Sequence, residues 1–186
     1  MKERKIMRIH PDKTLALIID YQERLMPAIK DNDTLAHNTG ILLSGLDLLE
    51  IPMLVSRQYP KGLGDTIAEV REKTRKAKIF DKTTFSCWGE GAIREEITNS
   101  GRKNIILCGI ETHICCLQTA VDLLEAEYSV LMVADCLGSR KSNDKKMGLR
   151  RAAQEGAILT TYESILFELT VGKESPAFKG ISQLVK

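Results

Sequence analysis

Short apolar runs alternate along the chain with longer segments in which apolar residues recur at helical spacing. Each run has the length of a strand, and a nearly continuous apolar run is typical of a strand covered on both faces. The pattern predicts six strands, at Thr14–Asp20, Pro52–Arg57, Lys78–Asp81, Asn104–Gly109, Ser129–Asp135 and Ala157–Thr161. Helical spacing predicts helices at Asp33–Glu50, Gly89–Asn99, His113–Glu127, Lys141–Glu155, Glu163–Val171 and within Pro176–Lys186.

Polar, glycine and proline residues mark where several of these elements begin and end. Asp33 is a suitable N-cap for the first helix, and Gly156 is a suitable residue just beyond the fourth. Proline and glycine cluster in Tyr59–Gly64, which predicts a loop after the second strand. The basic cluster Arg71–Lys78 is interpreted as a solvated helix face that leads into the third strand.

Strands that alternate with helices predict an α/β fold, a three-layer α/β/α sandwich with helices on both faces of a parallel sheet. Right-handed crossovers favour the Rossmann-like strand order 3-2-1-4-5-6. In that order a ligand binds beyond the carboxyl ends of the strands, at the switch point between strands one and four. No repeat or linker composition interrupts the pattern, so we expect a single domain over residues 1–186.

The composition argues against several classes of partner. Hydrophobic residues make up 43% of the chain and charged residues 28%, the balance of an ordinary globular protein. The formal net charge is +2 with both signs mixed along the chain, so we expect neither nucleic acid nor a membrane as partner. No apolar stretch reaches the roughly 20 residues that span a bilayer. Residues Met1–Lys13 lack the apolar region of a signal peptide, which favours a cytoplasmic protein.

The cysteines and histidines predict no metal site and no disulfide framework. The chain has five cysteines without a Cys-x-x-Cys pair, and its three histidines lack the spacing of metal ligands. Cys108 is interpreted as a core residue and Cys136 as structural, while the role of Cys87 stays open. No Gly-x-Gly-x-x-Gly follows the first strand, so no dinucleotide cofactor is expected either.

Cys115 differs from the other cysteines because it follows the fourth strand where a helix is predicted to begin. Unpaired N–H groups and the helix dipole stabilise an anion there, which predicts a lowered pKa for the thiol. Asp20 and Lys82 lie at the ends of two other predicted strands, so a parallel sheet brings all three residues together. The combination predicts a cysteine nucleophile, a carboxylate that takes and returns its proton, and a lysine that supports both anions.

Each of these residues also has a simpler interpretation. Asp20 alone is a common helix cap, and Lys82 alone is a common surface lysine. Asp135, which ends the fifth predicted strand, is expected to cap the next turn. His113 invites a Cys-His dyad, but a residue two positions before the nucleophile in a tight turn is expected to point elsewhere. Cys116 is expected to face away from the pocket, because adjacent helical positions point about 100° apart.

Three segments of the chain together resemble the isochorismatase-like hydrolases, which include nicotinamidases and N-carbamoylsarcosine amidohydrolases. These segments are Ile18–Gln22 (IIDYQ), Lys82–Ser86 (KTTFS) and Gly109–Asp122 (GIETHICCLQTAVD), within a resemblance that runs from about Lys13 to Phe167. The resemblance implies a six-stranded α/β/α sandwich and an Asp-Lys-Cys triad at Asp20, Lys82 and Cys115. It also implies a cis peptide between Ile110 and Glu111, and an oxyanion hole made by the N–H groups of Glu111 and Cys115.

The chain departs from two activities of that family. Nicotinamidases carry an Asp-x-His metal motif after the second strand, whereas Ser56–Gly62 reads SRQYPKG. Isochorismatases that cleave a vinyl ether lack the nucleophilic cysteine, so Cys115 argues against that reaction. The segments Arg57–Gly64 and Leu166–Leu169 are most similar to small isochorismatase-domain proteins of bacteria and eukaryotes.

The function predicted from the sequence is therefore a cysteine hydrolase that acts on a small amide or a related C–N bond, with a thioester on Cys115. Two alternatives stay open: a catalytically idle or regulatory interaction protein, and a thiol redox protein that pairs Cys115 with Cys87. The expected pocket walls are Gln22 and Phe85, which belong to the motifs, together with Tyr21, Trp88 and Tyr59.

The resemblance also favours a homo-oligomer, a dimer or tetramer. The terminal segment Pro176–Lys186 carries apolar residues that need not enter the core, at Phe178, Ile181, Leu184 and Val185. They are expected either to contact another subunit or to pack back on their own.

Overall fold

The computed structural model describes residues 8–186, so the expectations for Met1–Met7, including the signal-peptide expectation, lie outside the described residues. Six strands form one sheet, in the predicted order β3-β2-β1-β4-β5-β6. All neighbouring strands are parallel. The strands are β1 (Thr14–Ile19), β2 (Met53–Gln58), β3 (Lys78–Lys82), β4 (Asn104–Ile110), β5 (Ser129–Gly138) and β6 (Ile158–Thr160). The fold class and topology predicted from the sequence are confirmed.

Eight α-helices accompany these strands in the described part of the chain. They are α1 (Asn32–Leu48), α2 (Pro60–Leu63), α3 (Ala68–Lys73), α4 (Gly91–Asn99), α5 (Leu117–Glu125), α6 (Ser142–Glu155), α7 (Tyr162–Thr170) and α8 (Phe178–Leu184). The loop predicted at Tyr59–Gly64 is instead the single turn of α2, because Pro60 presets a helical φ at its first position. The N-cap of α1 is Asp31 rather than Asp33. Gly156 ends α6 in a left-handed conformation, as predicted.

Alternate residues of the strands feed two separate cores. Ala16 and Ile18 of β1 point to the side covered by α1, α3, α7 and α8, which we call the α1 face. Leu15, Leu17 and Ile19 point to the side covered by α4, α5 and α6, which we call the α5 face. Because both faces of the sheet are covered, the strands read as continuous apolar runs in the sequence.

Strand β5 is longer than predicted and does not end at Asp135. Its pairing with β4 shifts register between Leu107 and Gly109, and the strand continues to Gly138. The prediction that Asp135 caps the next turn is therefore wrong. The Asp135 carboxylate instead accepts a hydrogen bond from the main-chain N–H of Tyr162, 2.9 Å away, at the start of α7. That contact joins two distant elements, which local sequence signals do not reveal.

The C-terminal segment packs against its own chain. Ile181 of α8 is fully buried, and Leu184 and Val185 pack in partly buried positions against the core of the α1 face. Ile181 is thereby covered by its own chain, and Leu184 and Val185 are covered in part.

Candidate active site

Asp20, Lys82 and Cys115 come together at the carboxyl edge of the sheet. Asp20 follows β1, Lys82 ends β3, and Cys115 lies in the turn after β4. Lys82 Nζ is 2.8 Å from Asp20 Oδ2, and both side chains are 0% exposed. Because β2 lies between β1 and β3, only a side chain as long as lysine reaches across its end. The Cys115 thiol interacts electrostatically with both partners.

The backbone of Asp20 directs its side chain into this cluster. Strand alternation would send Asp20 to the α1 face, opposite to Ile19. Asp20 has a φ of 54°, however, in the left-handed region that aspartate tolerates better than most residues. Its carboxylate therefore lies on the α5 face, where Ser56 Oγ donates a 2.7 Å hydrogen bond to its Oδ1.

Tyr21, a predicted pocket wall, lies on the other face of the sheet. Its side chain is only 1% exposed and belongs to the core of the α1 face. Its hydroxyl donates to the main-chain oxygen of Cys136 and lies 2.9 Å from Thr39 Oγ1. The left-handed turn at Asp20 places Asp20 and Tyr21 each on the face opposite to the one that strand alternation predicts. The sequence motif alone does not carry that information.

Gln22 is likewise buried, and its side chain joins the ends of β1 and β2. Its Oε1 accepts from Gln58 N at 2.7 Å, and its Nε2 donates to Gln58 O at 3.0 Å and Gly64 O at 2.8 Å. All of its side-chain polar atoms are thus occupied by the backbone around the end of β2. Gln22 therefore holds the segment that leads into α2, and its contact with substrate stays a prediction.

The three remaining predicted wall residues lie in different environments. Tyr59 and Phe85 are 56% and 55% exposed. Tyr59 borders a cavity of about 400 Å³ beside Lys82, lined also by Pro60, Lys61, Asp81, Thr83 and Glu90. The Trp88 ring meets the Tyr128 ring edge-on with centroids 5.4 Å apart, and Tyr128 directly precedes β5. Trp88 therefore takes part in the packing of the α5 face.

The turn that carries Cys115 begins with a close contact between strands. Gly109 has a φ of 144°, and a Cβ there would lie 2.3 Å from the main-chain oxygen of Ile19. Only glycine fits this position. The peptide bond between Ile110 and Glu111 is cis, at the position that the resemblance implies. A π-helical turn at Thr112–Cys116 then precedes α5, so Cys115 lies in that turn and not in the first turn of an α-helix as predicted.

Side chains tie this turn to the end of β5. The Glu111 carboxylate accepts from the main-chain N–H of Arg140 at 2.9 Å and from its Nε at 3.0 Å. Thr112 Oγ1 donates to Gly138 O at 2.9 Å. These contacts fix the backbone whose N–H groups, at Glu111 and Cys115, are the predicted oxyanion donors. That role stays a prediction.

His113 points away from the thiol. Its Nδ1 is 3.0 Å from Ser139 Oγ, and its Nε2 is 3.8 Å from Asp144 of α6. Helix α6 approaches so closely that a Cβ at Gly148 would lie 2.9 Å from the His113 Cα. The imidazole is therefore held against α6, as expected from its position in the turn.

The predicted lowering of the Cys115 pKa is wrong. Burial, followed by the negative charge of Asp20, raises the pKa of Cys115 to about 12, although Lys82 acts in the opposite direction. Burial by itself lowers the pKa of Lys82, but the attraction of Asp20 and of two nearby thiols outweighs it and the net shift is upward. At neutral pH the site therefore holds a protonated thiol, and Lys82 is charged.

The other cysteines are buried, and one of them borders the site. Cys87 Sγ lies 3.4 Å from Ser56 Oγ, and burial raises the pKa of Cys87 to about 11. Cys116, next to Cys115, is fully buried, and burial raises its pKa well above the usual value. Cys108 is a core residue, as predicted. Sequence reasoning missed Ser56, which lies outside the three motifs and meets Asp20 only through the fold, and it left the role of Cys87 open.

Residues 8–186 hold no group of three or more histidine, cysteine, aspartate or glutamate side chains arranged to bind a metal ion. Across the same range, none of the helices has both the length and the apolar character needed to cross a membrane.

Comparison with known proteins places the chain in a family. The Isochorismatase domain model matches residues 14–164. The isochorismatase domain-containing protein 1 of Salmo salar is 42% identical over 179 residues, with 95% of this chain covered, but the match covers only 62% of that protein. The secreted isochorismatase effector Isc1 of Phytophthora sojae is 37% identical, with 98% of this chain and 89% of that one covered.

A solved structure described as the MAR1 ribonuclease of Caenorhabditis elegans superposes with a TM-score of 0.91. It is 36% identical, and the match covers 96% of this chain and 92% of that one. The domain match, the sequence identities and the shared fold agree with one another. The chain belongs to the isochorismatase family and has its hydrolase fold.

Proposed function

We propose that this protein is a cysteine hydrolase that cleaves small amides or related C–N bonds through a thioester on Cys115. The observation that carries the proposal is the fully buried Asp20–Lys82 pair beside a thiol that is 7% exposed. A buried carboxylate next to a thiol is a proton acceptor, and the small exposed fraction of Cys115 admits a substrate carbonyl without much water.

The first half of the reaction forms the thioester. The raised pKa of Cys115 means that the sulfur starts as a thiol, so Asp20 takes its proton while the sulfur attacks the amide carbon. The N–H groups of Glu111 and Cys115 receive the oxyanion of the tetrahedral intermediate. The C–N bond then breaks, and the proton on Asp20 passes to the departing amine.

The second half releases the acid. Asp20, again a carboxylate, takes a proton from a water molecule that attacks the thioester carbon. The C–S bond breaks, and the proton returns from Asp20 to the Cys115 sulfur. Lys82 keeps its charge throughout, while Asp20 alternates between a carboxylate paired with Lys82 and a neutral acid that holds the transferred proton.

Three other functions compete with this one. An idle or regulatory protein would not need the close Asp20–Lys82–Cys115 arrangement. A redox protein would pair Cys115 with Cys87, whose pKa is also raised, although redox-sensing thiols carry a lowered pKa. Ribonuclease activity is attributed to the Caenorhabditis elegans relative, but the mixed charges of this chain lack the basic footprint typical of nucleic-acid binding.

Trapping the acyl-enzyme tests the proposal. A panel of small primary amides is incubated with the protein, and intact mass and peptide mapping follow. We expect ammonia release and an acyl adduct on Cys115 with at least one amide. Cys116→Ala should keep both, whereas Cys115→Ala should lose both. An adduct on another cysteine, or RNA cleavage that survives Cys115→Ala, would contradict the assignment.

Three broader expectations accompany the function. We propose that residues 1–186 form a single domain, that the chain assembles as a dimer or tetramer, and that it acts in the cytoplasm on a small molecule. Because the C-terminal tail covers its own core, the interface is expected elsewhere. Light scattering at micromolar concentration tests assembly, with a monomer as the contrary result. Fractionation of cells and medium tests the compartment, since the Phytophthora sojae relative is described as secreted.

A further inference from the structure

Lys82 is surrounded by more acceptors than it has protons. An ammonium group has three N–H bonds. Lys82 Nζ donates to Gln58 Oε1 at 2.6 Å, Phe85 O at 3.0 Å and Thr84 O at 3.1 Å. Asp20 Oδ2, at 2.8 Å, is a fourth neighbour. Asp20 Oδ2 therefore shares the ammonium group with three other acceptors, and a carboxylate oxygen has room for a second donor, the role in which the Cys115 thiol interacts with Asp20.

The other oxygen of Asp20 is firmly held. Ser56 Oγ donates to Asp20 Oδ1 at 2.7 Å, and both side chains are fully buried. A hydroxyl has a single proton, so the 3.4 Å contact between Ser56 and Cys87 is a weak hydrogen bond from the thiol to Ser56 Oγ. Ser56 pairs with Ile19 in the β1–β2 register, directly before Asp20. No solvent competes for this hydroxyl at that position.

We propose that Ser56 is a positioning residue of the site. Its hydroxyl fixes Asp20 through Oδ1 and stabilises the charged carboxylate, which leaves Oδ2 directed as the proton acceptor for Cys115. This inference deepens the proposed function, because it rests on Asp20 acting as the base. Cys87 acts behind Ser56 by orienting the hydroxyl, which gives this buried thiol a role that requires no redox chemistry.

The test is the pH dependence of Cys115 alkylation by iodoacetamide, followed by peptide mapping. The acid limb is the fall in alkylation rate on the low-pH side of the profile. Asp20→Asn removes the base and should flatten this limb, which assigns the limb to Asp20. Ser56→Ala should move the limb to higher pH by about one unit, which is a roughly ten-fold slower reaction within it, because a carboxylate that loses a donor binds a proton more readily. Ser56→Thr keeps the hydroxyl and should restore the wild-type limb.

Two controls separate positioning from simple packing. Ser44→Ala removes a hydroxyl that donates to Gly40 O within α1, remote from the site, and should leave the profile unchanged. A uniform loss of rate in Ser56→Ala without movement of the limb, or an unmoved profile, would overturn the proposal. If Ser56→Ala does not fold, Ser56→Cys supplies a weaker donor of similar size. It should give a smaller upward shift of the acid limb, and an unshifted limb in this variant would also overturn the proposal.

The outcomes also distinguish this inference from the proposed function. Alkylation needs no amide substrate, so a shifted limb without any amide hydrolysis in the wild type would remove the hydrolase and leave the role of Ser56. An unshifted limb in Ser56→Ala together with a normal acyl adduct on Cys115 would remove the role of Ser56 and leave the hydrolase.

Discussion

Two aspartate–lysine pairs lie near the carboxyl edge of the sheet, and they behave differently. Asp20 and Lys82 touch at 2.8 Å with both side chains fully buried. Asp135 is only half-buried, and its carboxylate is bound to the main-chain N–H of Tyr162, so it acts on Lys145 by its charge without holding it. Burial opposes the charge of both lysines.

The pKa shifts of the two lysines show whether burial or the attraction of the aspartate is the larger effect in each pair. Burial lowers the pKa of Lys82, but contact with Asp20 and the nearby thiols more than offsets it, and the pKa is raised. Burial also lowers the pKa of Lys145, and the charge of Asp135 only partly offsets it, so the net shift is downward. A lysine that touches its partner therefore keeps its charge in the interior.

Asp20→Asn should have the largest effect. The amide cannot accept the thiol proton, so turnover should fall by roughly a hundred-fold to ten-thousand-fold, the range for a lost general base. The buried Lys82 would also lose its partner, at a cost of about 3–5 kcal/mol in the free energy of unfolding. Amide hydrolysis and urea denaturation measure the two effects.

A second variant separates the two effects. Asp20→Asn combined with Lys82→Met removes the unpaired cation, so it should regain much of the lost stability but none of the activity. Turnover that survives in either variant would remove Asp20 from the mechanism.

Lys82→Met should have the next largest effect, on the thiol. Lys82 opposes the burial that raises the pKa of Cys115, so its loss should raise that pKa further. The alkylation rate of Cys115 from neutral to alkaline pH, assigned by peptide mapping, is the measurement. Lys145→Met is the matched control and should leave the Cys115 profile in place. A Lys82→Met profile that coincides with wild type would mean that the lysine does not act on the thiol.

Asp135→Ala should have a smaller effect, confined to stability. Loss of the hydrogen bond to Tyr162 N at the start of α7 should cost about 1 kcal/mol, the typical net contribution of one hydrogen bond. For a chain of this size that is a fall of about 2–4 °C in Tm. The Cys115 alkylation rate should not change, and Asp12→Ala, on the exposed surface, should change neither quantity. A loss of alkylation in Asp135→Ala would show that the two pairs are coupled.

Treatment with a chelator should leave the activity of the protein unchanged. The stretch after β2, Ser56–Gly62, lacks the Asp-x-His ligands of the metal-dependent nicotinamidases. Activity and metal content are measured before and after treatment with a chelator. A stoichiometric metal that leaves together with activity would overturn this expectation.

The sequence by itself determined the framework of the site. Apolar runs reveal buried strands because both faces of a parallel sheet are covered, and the strand–helix alternation leads to the observed order. The same pattern places Asp20, Lys82 and Cys115 at or just beyond the carboxyl ends of strands, where Asp20 contacts Lys82 and both interact with Cys115. These features follow from local periodicity and from topology rules that hold for most α/β sheets.

Only the tertiary structure decided how those residues are presented. The left-handed φ of Asp20 sends its carboxylate and Tyr21 to opposite faces, and Gln22 is turned into a backbone clamp. The pKa of Cys115 is raised rather than lowered, because burial and the charge of Asp20 outweigh Lys82. Ser56 becomes the partner of Asp20 through strand register. Desolvation and partner charges depend on residues far apart in the chain, so no local pattern of the sequence contains them.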